Sequence, residues 1–224
     1  MRAAFFDVDG TLTQTRVWNG LMDYFRVNGQ RKFVNAVFKI FHYFLYFLHR
    51  IKLLSQVRFR EVWAKNLSWY LRGYSLQQAA KIWDWVVENR IAGQWRPEIV
   101  IKLKEHLSAG DLVFLVSGGP EGLLRRIADE LGVDHVVGTR HVVVAGVYSG
   151  AQPAQACQGE NKVILVKKRE AELGIEIDYQ TSYAYADSLG DLDLLEMVGN
   201  PVAVYPDQAL KPIALSRNWP IVGD

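Results

Sequence analysis

The chain has 224 residues, half of them hydrophobic, with one cysteine and a formal net charge of +2 at pH 7. That length and apolar fraction mark a globular chain with a substantial core, either one large domain or a core carrying an insertion. A lone Cys157 excludes an intrachain disulfide framework and any multi-cysteine metal site, which fits a reducing, cytoplasmic setting. The small net charge hides an asymmetry: between 30 and 65, eight Lys or Arg stand against Glu61, a local +7, while the remainder carries −5. Such a basic segment attracts phosphorylated metabolites, lipid headgroups or nucleic acid alike.

The chain enters its first predicted strand directly, without a charged-then-apolar leader, so no secretory signal is expected. Ala3-Ala4-Phe5-Phe6 is apolar on both faces, as in a parallel sheet covered by helices, and ligands of such sheets sit beyond the carboxyl ends of the strands. That end is Asp7-Val8-Asp9-Gly10-Thr11. Residues two apart in an extended chain point the same way, so Asp7 and Asp9 should flank one pocket. Two close carboxylates repel unless a proton or cation separates them, and Mg2+ is the usual ion where carboxylates meet a substrate phosphate. Gly10 permits a close turn, with its own N–H and that of Thr11 as candidate phosphate donors. An Asp-Gly turn without chemistry is the plain alternative.

From 17 to 91 the pattern is helical throughout, with Ser75 and Gln78 forming a capping box. Residues 33–48 are apolar almost all round and are flanked by Arg31, Lys32, Arg50 and Lys52. Lys39 and His42 interrupt this run, which is short for a membrane span, so a transmembrane role is rejected. The expectation is a helix buried between the cap and the core or in a dimer interface; the alternative is a surface meeting anionic lipid. His42 and His49 share a face without a Cys or carboxylate to complete a metal set. Trp63, Trp69, Trp83 and Trp85 read as core, not as a base-stacking platform, and nucleic acid is disfavoured.

Strands then alternate with helices. Pro97 opens a helix ended by Gly110, followed by a strand over 112–116, a helix over 120–131 and a strand near 136. A hairpin turns at Ala145-Gly146 within 141–149, and 150–159 is a loop. A helix over 160–173, a strand over 183–186, a helix from 189, a strand over 202–205 and a last helix complete an α/β sheet with a helical insertion after its first strand. Three segments carry polar residues where the sheet should expose its strand ends. Ser117-Gly118-Gly119 is a potential phosphate receptor at a strand-to-helix turn. Lys162 falls in a first helical turn, where a cation opposes the helix dipole and so suggests a use. Asp187 could complete a metal site begun by Asp7, and Asp191 could orient a metal-bound water or Lys162.

The series Asp-x-Asp-Gly-Thr, Ser-Gly, Lys, Asp-x-x-x-Asp, spanning Asp7 to Asp191, resembles the haloacid dehalogenase superfamily, and a helical insertion directly after the first motif is similar to its phosphoserine phosphatase-like branch. The resemblance implies a Rossmann-like, three-layer parallel-sheet core (1–13 plus 96–224) with an inserted all-helical cap (14–95) and a small β-hairpin. It implies a Mg2+-dependent phosphomonoester hydrolase acting on a small phosphorylated metabolite through an aspartyl phosphate. Asp7 would be the nucleophile and Asp9 the general acid and base. Gly10, Thr11, Ser117, Gly118 and Lys162 would hold the phosphate, Asp7, Asp9 (by its carbonyl) and Asp187 the metal, and Asp191 would support them. Phosphoserine phosphatases place a glutamate shortly after the first motif; Gln14-Thr15-Arg16-Val17 has none, which counts against phosphoserine. Arg16, Arg58 and Arg60 are the candidate substrate contacts from the cap. Two alternatives stand: a phosphatase of a lysophospholipid or phosphatidylglycerophosphate-type headgroup, in peripheral contact with an anionic membrane, and a non-catalytic protein that only binds a phosphate ligand.

Overall fold

The computed structural model describes residues 1–223. Its frame is a parallel six-stranded sheet of β1 (Ala3–Phe6), β2 (Leu112–Pro120), β3 (His135–Thr139), β6 (Tyr183–Ala186), β7 (Asn200–Val204) and β8 (Ile221–Val222), in the order β3-β2-β1-β6-β7-β8. The first strand is central because all four of its residues are apolar and buried, so both faces need cover. Ala4 and Phe6 join one core cluster and Ala3 and Phe5 the other, the period-2 alternation of a strand. The chain builds outward from β1 to β2 and β3 on one side, then crosses to β6, β7 and β8 on the other, so the order reverses at β1. Crevices at such reversals are where open α/β sheets bind ligands.

One face carries α8 (Glu160–Leu173), the short α9 (Leu192–Glu196) and α10 (Leu210–Ser216), through Val166, Leu194, Leu195, Leu210 and Ala214. The other carries α6 (Pro97–Ser108) and α7 (Glu121–Leu131), and its cluster runs without a break into the helical insertion. That insertion holds α1 (Val17–Val27), α2 (Lys32–Arg50), α3 (Gln56–Asn66), α4 (Ser68–Leu71) and α5 (Leu76–Val86), ending in a π-helical turn over Val87–Ile91. Both halves of the capping box form: the Gln78 N–H donates to Ser75 Oγ at 3.2 Å, and the Ser75 N–H to Gln78 Oε1 at 2.9 Å. Where the chain leaves the sheet layer and returns, Thr13 bridges Trp95 and the Gln14 N–H donates to the Gln94 carbonyl at 2.8 Å.

The hairpin of β4 (Val143–Val144) and β5 (Val147–Tyr148) forms a separate two-stranded sheet turning on Ala145 and Gly146, both at positive φ, as a two-residue hairpin turn of this kind demands. It is a strut between layers: the Gly73 N–H donates to the Tyr148 carbonyl at 2.8 Å, and the Tyr148 N–H to the Tyr74 carbonyl at 2.9 Å.

Four expectations need correction. Strand β2 does not stop at 116 in a turn; it stays extended through Pro120, shifting register against β3, because the Thr139 hydroxyl holds the Gly118 carbonyl at 2.8 Å. Residues 189–191 form a 3-10 turn before α9 instead of a continuous helix. The edge strand β8, after the last helix, is only two residues long, too short to leave an alternating pattern. Helix α2 is not buried against the core: Phe38 and His42 alone are buried, because the rest of the cap packs on one side of it only.

Candidate functional site

The carboxyl ends of β1 and β6 carry Asp7 and Asp187, Ser117 joins them from within the neighbouring β2, and the first turn of α8 adds Lys162. The Asp7 N–H continues the sheet by donating to the Tyr185 carbonyl at 2.9 Å, so its side chain is aimed by the ladder and not by a loose loop. Asp7 is buried, with Oδ1 2.6 Å from Lys162 Nζ and Oδ2 accepting from the Thr11 hydroxyl at 3.1 Å. Lys162, also buried, is clamped between Asp7 and Asp191 Oδ1 and donates to the Val116 carbonyl at 3.3 Å. This fate explains a cation in a first helical turn: two carboxylates outweigh the helix dipole.

Asp191 accepts from the Ser188 hydroxyl at 2.7 Å, and Ser188 Oγ accepts from Arg60 at 3.1 Å. A continuous polar chain therefore runs from the cap through Ser188, Asp191 and Lys162 to Asp7. Asp9 points elsewhere: Oδ1 caps the start of α1 by accepting the Val17 N–H at 2.5 Å, and Oδ2 lies 3.4 Å from the Ser117 hydroxyl. Ser117 is itself fixed by the Gly119 N–H at 3.1 Å.

Gly10 has φ +92°, and a Cβ there would overlap the Asp187 carboxylate, so only glycine lets the β1 and β6 ends close on each other. Its N–H, however, donates to the Thr13 carbonyl at 2.9 Å, so the expected phosphate donor is spent on the loop itself. The Gly10 carbonyl is braced by Arg96 at 3.1 Å, whose guanidinium stacks on the Tyr205 ring at 3.6 Å, a support nothing in the local pattern signalled.

Oxygen atoms of Asp7, Asp187 and Asp191 lie within 4.8 Å of one another. Burial pushes the Asp7 carboxyl up to about 7, against the pull of Lys162, and pushes Asp187 up to about 8, with Asp7 adding repulsion. Burial also raises Asp9. Burial disfavours the Lys162 charge, but Asp191 and Asp7 outweigh it and raise its pKa above the ordinary value. An all-oxygen cluster in which burial and mutual repulsion disfavour the charged forms of Asp7 and Asp187 suits a hard divalent cation. Lys162 holds one oxygen of both Asp7 and Asp191, with the Thr11 and Ser188 hydroxyls on their second oxygens, while the Asp187 carboxylate makes no hydrogen bond or ion pair among the described residues and is the freest to meet such an ion.

Over these groups lies a cavity of about 230 Å³ lined also by Arg16, Gly118 and Arg60. Trp18, Tyr46, His49, Phe59, Trp63 and Gln158 complete much of its wall, and none was singled out from sequence as a site residue. An aromatic in a helix reads equally as core and as cavity wall; only the packing of α2 and α3 over the strand ends separates the two. Arg58 is not brought to the site: it is exposed and paired with Glu61 at 2.7 Å, while Arg60, two residues on, faces inward.

A family model described as haloacid dehalogenase-like hydrolase matches residues 4–196. The chain is 36% identical over 157 residues to the inhibition of morphological differentiation protein of Streptomyces azureus, covering 70% of this chain and 56% of that one. It is 29% identical over 222 residues to a phosphoserine phosphatase of Mycobacterium tuberculosis, covering 98% of this chain and 70% of that one. Among solved structures, a protein of unknown function from Bordetella pertussis Tohama I superposes with a TM-score of 0.84 at 26% identity, covering 100% of this chain and 99% of its own. The chain thus spans a little over half of the first relative and about seven tenths of the second.

Proposed function

This chain belongs to the haloacid dehalogenase-like hydrolases; from there we propose that its site is that of a phosphatase, which hydrolyses a small phosphomonoester through an aspartyl phosphate on Asp7. The observation that carries this reading is the buried Asp7–Lys162–Asp191 array at the sheet's reversal point. A buried nucleophilic carboxylate beside a fixed ammonium has the charge layout that phosphoryl transfer needs: an attacking oxygen and a positive partner for the equatorial oxygens.

Asp7 attacks phosphorus, the P–O bond to the alcohol breaks, and the alkoxide leaves with a proton from Asp9. Asp9 suits that role because burial raises its pKa toward that of a proton donor and Oδ2, with only the long Ser117 contact, is free to face the leaving oxygen. The same carboxylate then takes a proton from water, whose oxygen attacks the phosphorus and releases phosphate and Asp7. Ser117 and Lys162 hold phosphoryl oxygens, and Asp191 with Ser188 keeps Lys162 aimed. Asp7, Asp187 and the Asp9 carbonyl would hold Mg2+, which would supply the further positive charge that lets the carboxylates meet a phosphate.

For the leaving group, the carboxylates lining the cavity are Asp7, Asp9, Asp187 and Asp191, all from the core, so the cap offers no acid to meet an aminium. The aromatic wall and Arg16 with Arg60 suit a leaving group with an apolar body and an anionic substituent. The aromatic wall equally admits the head of a lysophospholipid. The deciding assay is phosphate release with Mg2+ from a panel of soluble phosphomonoesters and from lysophosphatidate in mixed micelles, with Asp7→Asn as blank. Release from a soluble ester, reduced about a thousandfold or more in Asp7→Asn, supports the main reading. Release from the lipid alone makes the lipid head the leaving group. Tight phosphate-ester binding without release, unchanged in Asp7→Asn, makes the chain a binding protein.

A further inference from the structure

Along α2, Phe33, Val37, Ile40, Phe44, Phe47 and Ile51 recur at steps of four and three, which places them in one stripe on the helix. The stripe faces away from the protein: Phe33 is 81% exposed, Ile40 72%, Phe44 58% and Phe47 56%, while Phe38 and His42 on the opposite side are buried in the cap. Lys32, Lys39 and Arg50 fall on one flank, about 100° round the helix from the stripe. All three, and Lys52 beyond the end, are exposed and make no ion pair among the described residues. No Asp or Glu occurs from 24 to 60.

We propose that α2 is a membrane-docking helix that lies in the headgroup layer of an anionic bilayer, its aromatic stripe toward the acyl chains and its basic flank among the phosphates. A helix in that position needs an apolar face, a cationic flank at headgroup depth and no acid to oppose the lipid charge, and α2 has all three. It does not span, since no helix among the described residues is long and apolar enough to cross a membrane. A second copy of the chain is the poorer occupant: pairing two such helices would set rows of Lys and Arg beside each other with no acid on either to neutralise them, whereas anionic lipid complements them. Tyr46, between the basic flank and the cap side of the same helix, and His49, on the cap side, line the cavity over Asp7, so docking sets the cavity mouth beside the headgroups.

The test is flotation with vesicles of phosphatidylcholine and with vesicles in which about a third is phosphatidylglycerol, each at low and physiological salt. The wild-type chain should float with the anionic vesicles, less so as salt rises, and not with phosphatidylcholine alone. Ile40→Ser with Phe44→Ser should lower partitioning roughly tenfold or more, and Lys39→Gln with Arg50→Gln by a similar factor. Both pairs lie outside the cavity wall, so each should keep the wild-type urea midpoint and the wild-type rate on a soluble phosphomonoester. No flotation at either ionic strength overturns the proposal, as does flotation that both double variants retain. A monomer–dimer equilibrium lost in Ile40→Ser with Phe44→Ser, without vesicle binding, also overturns it and assigns the stripe to a second copy. Flotation reads docking without turnover, so a failure of the reaction at Asp7 would leave its outcome unchanged.

Discussion

Lys162 is the residue on which the site's electrostatics turn. Removing it leaves Asp7 and Asp191 buried without their cation, a loss that typically costs about 3–5 kcal/mol where a buried pair is broken. Lys162→Met should therefore lose stability of that order in urea unfolding at neutral pH, as well as nearly all turnover. Proton linkage gives a second expectation. Asp7 and Asp187 hold protons up to about 7 and 8 in the folded chain, against 3.8 for the ordinary carboxyl. Without a cation the folded chain therefore binds more protons than the unfolded one across that window, and stability falls as pH rises through it. A divalent ion replaces those protons, so the rise in melting temperature on adding Mg2+ should be larger at the alkaline end of the window than at the acid end. Equal increments at both ends would mean that these two carboxylates do not hold the ion. The two candidate arginines of α3 also part company: Arg60→Ala should raise KM about tenfold, the loss expected for a partly buried charged contact, while Arg58→Ala should leave kinetics unchanged. Sequence offered both equally, because the direction of a side chain on a helix depends on which neighbour the helix packs against.

At the scale of elements, the turns and caps act as local rules predict. Ser75→Ala removes one half of a capping box and should cost about 1 kcal/mol in chemical unfolding with no change in kcat, since α5 contributes nothing to the cavity wall. The β1–α1 loop is different, because its glycine answers to another strand. Gly10→Ala strains a φ of +92° and drives a methyl into Asp187, so a loss of about 2 kcal/mol or more should accompany a weakened Mg2+ response in the thermal melt. The succession of strands and helices along the chain was readable from apolar runs and from Pro97, Gly110 and Gly132, each beside an element's end. Strand β8 and the extension of β2 were not, because both exist through pairing with a distant strand and leave no periodic trace of their own.

For the molecule as a whole, one apolar cluster joins the sheet face to the cap, from Phe6 and Leu115 through Leu124 to Trp83, Phe25 and Phe38. Cap and sheet should accordingly unfold together. Six of the seven tryptophans lie between 18 and 95, so fluorescence reports mainly the insertion while far-UV circular dichroism reports all layers. The two urea transitions should coincide, and a tryptophan transition at lower urea would show the cap melting as a separate unit. The hairpin strut and the Thr13–Trp95 bridge tie the same two layers. The cavity is the space left where they meet, so its wall is drawn from both.

What the sequence determined by itself was the chemistry-bearing skeleton. Asp7, Ser117 and Asp187 each directly follow an apolar run and Lys162 stands at a helix start, and the end of such a run in a parallel sheet has an expected position, so local pattern pointed them to one edge even though β2 continues past Ser117. Tertiary structure alone decided the rest. That Asp9 reaches Ser117, that Arg60 and not Arg58 reaches Ser188, and that the aromatic run of α2 faces outward depend on contacts between residues far apart in the chain, while the turn of Asp9 to Val17 and of the Gly10 N–H to Thr13 belongs to a loop whose path no periodicity records. The spacing of residues along a helix fixes which of them share a face; the direction in which that face points is set by what packs against it.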